Sequence, residues 1–240
     1  MRCRIAIISA VGLLLASAPA PGLAQSCPAP LAAARRLILV TADGMGTSVA
    51  RLRLFERASP AAPWRPLGAA VPARIGRAGM AWGHGYGQLA RGREPRKVEG
   101  DKRTPAGIYP IGRSFGFAAS RQPGYLQVTA QTVCVYDVRS PAYNRIASRR
   151  AVGPTVRAER MRADLRYRLG LVVDYPTNAA SRAGSCIFLH VWKSPAHPTI
   201  GCIAVSEPWM AALQAFAARG AVLAVLPEHA KARFPGCLPR

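Results

Sequence analysis

The sequence is short of acids. Its 240 residues hold 11 Asp and Glu against 33 Lys and Arg, a formal charge of +22, and only four of the basic residues are Lys, at 97, 102, 193 and 231. Aromatic residues are also few, yet half of the chain is apolar, which is enough for a buried core and excludes a disordered polyelectrolyte. Gly and Pro are abundant, more so than a helical bundle needs, but lack the period-three repeat of collagen. No internal repeat is visible. Past residue 24 no apolar run approaches the roughly 18 residues of a membrane span. No Gly-Lys-Ser/Thr follows the glycine-rich segment 79–87, so a nucleotide loop is excluded there and a loop or hairpin is expected. The basic residues are scattered, densest over 157–168, and form no polybasic tail.

What is present starts with an address. Arg2 and Arg4 precede the apolar run 5–16, too short to cross a bilayer but suited to the core of a signal peptide. Breakers follow at 19–22, and Gly22 and Ala24 stand at the −3 and −1 positions of a peptidase site. Residues 1–24 are therefore expected to be removed, leaving a mature chain from Gln25. Gln25 fits poorly in a lipidation signal for Cys27, so no stable membrane anchor is expected. Loss of Arg2 and Arg4 lowers the charge from +22 to +20. An exported polycation, periplasmic or associated with the cell wall, does not meet nucleic acid. It meets anionic headgroups and cell-wall carboxylates.

From residue 36 onward, short apolar or alternating runs between Gly and Pro predict strands over 37–42, 50–56, 107–111, 126–138, 166–175, 185–192 and 221–226. One helix is expected, N-capped by Ser206, with Glu207 in its first turn, ending at Arg219 before Gly220. Its core face would carry Trp209, Leu213, Phe216 and Ala217. Segments 139–156 and 178–184 read as loops. The expectation is a mainly β, α+β fold with one or two helices, in a single monomeric domain over 25–240.

Without Cys3 the mature chain keeps an odd set of cysteines, at 27, 134, 186, 202 and 237. In an oxidising compartment this predicts two disulfides and one free thiol. Cys27 and Cys237 lie near the two termini, and Cys134 and Cys186 in two predicted strands, which leaves Cys202. A zinc site from Cys186, His190, His197 and Cys202 is disfavoured, because Cys186 and His190 on one strand stand about 13 Å apart. No metal is expected. Cys202 follows a Pro-Thr-Ile-Gly turn in which Gly201 permits an unusual backbone angle, and N–H groups at such a bend can face an oxyanion. His190 and His197 are the candidate bases for its thiol.

At these residues the sequence resembles the L,D-transpeptidase, or YkuD, catalytic domain of bacterial cell-wall enzymes. Its signature is a His, a variable loop and then Ser/Thr-His-Gly-Cys, matched by His190, Thr199 and Gly201-Cys202. Upstream, Thr104-Pro105-Ala106-Gly107-Ile108-Tyr109 resembles the family's Thr-Pro-x-Gly-x-Phe/Tyr segment, preceded by Glu99-Gly100-Asp101, and Tyr143-Asn144 resembles a Tyr-Asn pair of related sequences. The resemblance is strongest over 68–226. Ile200 replaces the His before Gly-Cys, Ala204 stands where an Arg is frequent, and the loop between His190 and Thr199 is shorter than usual. These departures place the chain in a divergent, compact branch.

The resemblance implies a mixed β-sandwich or barrel with the site on a strand and a loop, and no cofactor. It implies that Cys202 attacks an amide of a peptidoglycan stem peptide, that His190 moves the proton, and that backbone N–H groups of Gly201 and Cys202 hold the oxyanion. Transfer of the thioester to an amine of a second stem then crosslinks the wall. Thr199, Tyr143, Arg145, Trp192 and Lys193 are the candidate substrate contacts. Two other readings stay open: an L,D-carboxypeptidase or endopeptidase passing the same thioester to water, and a wall-binding protein without activity.

Overall fold

The computed structural model describes residues 27–239. The expected signal peptide and its cleavage site lie outside the described residues. The chain forms a mainly β, α+β fold. Its strands are β1 (Arg36–Ala42), β2 (Val49–Glu56), β3 (Arg65–Arg74), β4 (Met80–Trp82), β5 (Thr104–Gly116), β6 (Leu126–Gln127), β7 (Thr132–Val135), β8 (Ile146–Ser148), β9 (Ala158–Arg160), β10 (Leu169–Val173), β11 (Phe188–Val191), β12 (Ile203–Val205) and β13 (Val222–Pro227). Short helices α1 (Ala29–Ala33) and α2 (Arg149–Val152) accompany one longer helix, α3 (Glu207–Ala217).

The main sheet runs β10-β11-β12-β3-β2-β1-β13-β5, and β5 pairs again with β10, so the sheet closes on itself as a barrel. β1 shows why it sits at the centre. Leu37, Ile38, Leu39 and Val40 are apolar without alternation, as a strand covered on both faces must be, and all four are buried. It pairs in parallel with β13 and antiparallel with β2, where Arg51 and Arg53 point out and Leu52 and Leu54 point in. The interior is filled by these side chains together with Leu189, Val191, Ile203 and Val205 from β11 and β12. Helix α3 covers the seam between β5 and β10, where Gln214 Nε2 donates to the carbonyls of Phe115 and Gly170 at 2.8 Å each.

A second, small sheet of order β8-β7-β9 packs on the outer face of the barrel. Between them lies a separate apolar cluster containing Phe115, Phe188, Tyr167, Met161, Cys134, Cys186 and Cys202. Cys202, one of the candidate site residues, lies in this cluster.

Several expected elements change. The run 126–138 divides into β6 and β7, and 166–175 opens with a 3-10 turn (Leu165–Arg168) before β10 begins. The expected loop 139–156 contains β8 and α2, and Met80–Trp82 within 79–87 pairs in parallel with β5. β3 is hidden in the sequence by Pro66, Gly68 and Pro72. Gly68, at φ +75°, falls in the register shift between the Leu52–Val71 and Leu54–Leu67 pairs, and Pro66 and Pro72 flank it opposite Phe55 and Arg51. In α3 the buried face is set by Met210 and Leu213, while Trp209 is 37% exposed. Ser206 precedes the helix without making a side-chain cap.

Cys27 is joined to Cys237 across a sequence separation of 210, and Cys134 to Cys186 across 52, while Cys202 is free. The C-terminal end is fixed further by Trp64, whose Nε1 donates to the Cys237 carbonyl at 2.9 Å. Chain-entropy reasoning gives the long cross-link a stabilisation on the order of 5 kcal/mol. Replacing both Cys27 and Cys237 by Ala is expected to lower the denaturation midpoint by an amount equivalent to about 3–5 kcal/mol. Chemical unfolding of the two proteins without reductant measures this.

Candidate active site

β11 and β12 lie side by side in parallel, with Leu189 opposite Ile203 and His190 opposite Ala204. Cys202 is one residue before Ile203. It therefore stands beside Phe188 and, by the two-residue period of a strand, on the same outward face as His190. Tyr167 links the two. Its ring meets that of His190 edge-on, with centroids 5.4 Å apart, and belongs to the same apolar cluster as Cys202. Gly170, opposite His190, is required there because a Cβ would lie 2.2 Å from the Phe115 ring.

His190 is 2% exposed, and its Nδ1 lies 2.8 Å from the Val191 carbonyl. A carbonyl only accepts, so Nδ1 carries the hydrogen and Nε2 is the basic nitrogen. Burial lowers the pKa of the ring to about 4, Arg166 adding to the effect and the Val191 hydrogen bond opposing it. Burial likewise pushes the Cys202 thiol up to about 12, reinforced by Glu159 and opposed by the Phe188 N–H, Arg166 and Lys97. At neutral pH the resting pair is a neutral thiol and a neutral imidazole. The thiol hydrogen goes to the Cys186 carbonyl, with Sγ 3.3 Å away, and no hydrogen bond joins Cys202 to His190 among the described residues. His197 is exposed and takes no part in this arrangement.

Two threonines fix the backbone at Cys202. The Cys202 carbonyl accepts from Thr199 Oγ1 at 2.6 Å and from Thr104 Oγ1 at 3.2 Å. Those hydroxyls accept in turn from the N–H of Gly201 at 3.1 Å and of Gly76 at 2.9 Å. The upstream Thr-Pro segment and the Gly-Cys turn, 98 residues apart in sequence, thus meet at one carbonyl. The Gly201 N–H is committed to Thr199 and is not available to an oxyanion in this state. The Cys202 N–H has no partner among the described residues. Gly201 is needed for its φ of +147° rather than for space, since a Cβ there would come no nearer than 3.4 Å to the Arg103 carbonyl.

Cys202 opens into a cleft of about 920 Å³ between the barrel and the small sheet. Gly201, Cys186 and Ile200 line its barrel side, Tyr136, Arg157 and Glu159 come from the small-sheet side, and Lys102 and Arg182 come from loops. Ile200 is 65% exposed at this cleft. Lys102, Arg157 and Arg182 have no ion-pair partner among the described residues, whereas Lys97 is paired with Asp101 at 2.6 Å. Glu99 is held by Ser185 Oγ at 2.8 Å and by the Tyr143 hydroxyl, and Glu159 by the Tyr167 hydroxyl at 2.8 Å.

None of the five candidate substrate contacts lines this cleft. Thr199 is buried and holds the Cys202 carbonyl; Tyr143 is buried and holds Glu99. Arg145 and Lys193 are exposed elsewhere, and Trp192 caps β12 through its N–H to the Val205 carbonyl at 2.8 Å. The lining residues Arg157, Glu159, Tyr167 and Arg182 were not singled out in the sequence. They lie in short, irregular segments whose proximity to Cys202 depends on how the small sheet packs. No family model matches the chain, and no curated protein matches it either.

The buried neutral imidazole has a consequence for stability. Its folded pKa of about 4 lies below the ordinary 6.5, so the unfolded chain binds the proton more readily. This contribution is complete above pH 6.5 and is lost as the pH falls toward 4, by roughly 3 kcal/mol. Urea unfolding from pH 7 to pH 4 is expected to show this loss, and His190→Gln should reduce the slope across that window.

Proposed function

We propose that the protein is a cysteine-nucleophile L,D-transpeptidase of the YkuD type, an acyltransferase that crosslinks peptidoglycan stem peptides outside the cytoplasm. One observation carries the reading. The free thiol, Cys202, opens into a cation-lined cleft on the same strand face as His190, a buried imidazole with its tautomer set. The two disulfides fit an exported protein.

In this reaction the Cys202 sulfur attacks the carbonyl of an amide between an L-centre and a D-residue. Because both groups start neutral, the thiol proton passes to His190 Nε2 as the C–S bond forms, after the thiol has left the Cys186 carbonyl. The Cys202 N–H faces the developing oxyanion. The departing amine of the D-residue takes the proton from His190, and a thioester remains. An amine of a neighbouring stem gives its proton to the same nitrogen, attacks the thioester and restores the thiol. Lys102, Arg157 and Arg182 attract the carboxylates of the stem peptides.

Incubation of the mature protein with stem tetrapeptide fragments, followed by mass spectrometry, is expected to give crosslinked dimers and a single acyl adduct on Cys202. Carbapenem-type β-lactams should form one adduct at the same residue. Cys202→Ala and His190→Ala should each abolish transfer, and His197→Ala should leave it close to the parent level. Adduct formation surviving in Cys202→Ala would overturn the assignment, and products carrying water in place of the second stem would identify a hydrolase.

A further inference from the structure

Cys186 stands at the junction of three restraints. It is not glycine, yet its φ is +56°, a left-handed conformation that L side chains rarely adopt. Its side chain is tied to Cys134 on β7, and its N–H donates to Asn144 Oδ1 at 2.9 Å. Asn144, itself at φ +61°, is anchored on both sides. Its Nδ2 donates to the Tyr175 carbonyl at 2.9 Å, and its N–H donates to the Val135 carbonyl at 2.8 Å, one residue from Cys134. The small sheet therefore grips Cys186 through a covalent bond and a side-chain amide at once. The carbonyl so oriented accepts the Cys202 thiol.

We propose that Cys186 is a positioning residue for the Cys202 nucleophile: its main-chain carbonyl parks the thiol, and Asn144 together with the disulfide to Cys134 holds that carbonyl in place. The inference rests on reading Cys202 as the nucleophile. Its physical content is a competition for one proton. While the carbonyl accepts the S–H, the proton is not directed at His190, and the protonated sulfur is favoured over the thiolate. Released from either grip, Cys186 relaxes toward an ordinary backbone angle, its peptide plane turns, and the carbonyl leaves the sulfur. The thiol then ionises more easily. Packing of the small sheet is thereby coupled to the readiness of the nucleophile, through one strained residue that itself lines the cleft.

The test reads the thiol and not the transfer reaction, so its outcome is independent of whether stem peptides are the substrate. Iodoacetamide alkylation of Cys202 is followed by intact mass across a range of pH, in the parent, in Asn144→Gly and in Cys134→Ser/Cys186→Ser. Glycine suits the φ of +61° at position 144, so the first variant removes the side chain alone and keeps both disulfides. The charged and titratable groups around Cys202, namely Glu159, Tyr167, Arg166, Lys97 and His190, are unchanged in every variant.

The expected result is a lower pH midpoint of alkylation in both variants. Below the midpoint this corresponds to a rate about two- to tenfold above the parent, the effect of losing one hydrogen bond to the protonated form. In Asn144→Gly the plateau rate at high pH should stay unchanged. An Asn144→Gly midpoint equal to the parent's would overturn the proposal, as would variants that change only the plateau, which reports access to the sulfur. Asn144→Gly decides the question even where the double serine variant fails to fold.

Discussion

The hydrogen bond from His190 Nδ1 to the Val191 carbonyl is made inside a wall of aromatic rings, and the rest of the site depends on that dryness. Phe115, Phe188 and Tyr167 pack edge to face with centroids 5.4 to 6.1 Å apart, and His190 continues the series against Tyr167. Water is kept from the ring, so the imidazole stays neutral, and a neutral imidazole with one nitrogen committed has one nitrogen left to accept a proton. The same desolvation keeps the thiol neutral. Both groups therefore rest neutral, as the proposed proton transfer needs, without an ion pair that would have to be stabilised in the interior.

The excess of arginine has a structural component that net charge conceals. Arg57 donates to the carbonyls of Leu31, Ala32 and Ala34, and Arg149 to those of Gly153 and Val156. Arg74 reaches the Pro195 carbonyl in the loop between β11 and β12, and Arg233 joins Glu94 to the Leu89 carbonyl. A planar guanidinium with five donors can serve several carbonyls of an irregular loop at once, which an ammonium does less well. In a fold with so many short strands and long connections, such side chains tie loops to the barrel. The unpaired cations at the cleft are a small subset, distinguished by place rather than by type.

How much of this was legible in the sequence follows the range of the interactions involved. Strands with long apolar runs, such as β1 and β13, stood out because burial on both faces leaves no alternation. β12 is three residues long, and β9 is equally short, so neither carries a periodic signal, although one holds the residues after Cys202 and the other Glu159. Parity left Cys202 as the unpaired thiol, and the structure joins the other four cysteines as the terminal and strand positions suggested. His190 and Cys202 were visible as residue types in a spacing. Which side chains line the cleft was not, because Cys202 lies at the Phe188 end of β11, whereas Trp192 and Lys193 follow its other end, so nearness to His190 in sequence is not nearness to the cleft. The roles of Val191 and Cys186 are carried by main-chain carbonyls, which every residue possesses and no composition reveals.

The bond between Cys27 and Cys237 turns nearly the whole described chain into a covalent ring. A protease that cuts one exposed loop inside a linear protein can release a fragment, and the remainder then unravels. Here a single cut anywhere between those two cysteines only opens the ring into a line, and both halves stay attached. Two cuts are needed before any piece can leave, unless the Cys134–Cys186 bond spans them as well. For a protein expected to work among the proteases outside the cytoplasm, longevity is then set by the chance of a second cleavage before the barrel recloses around the first.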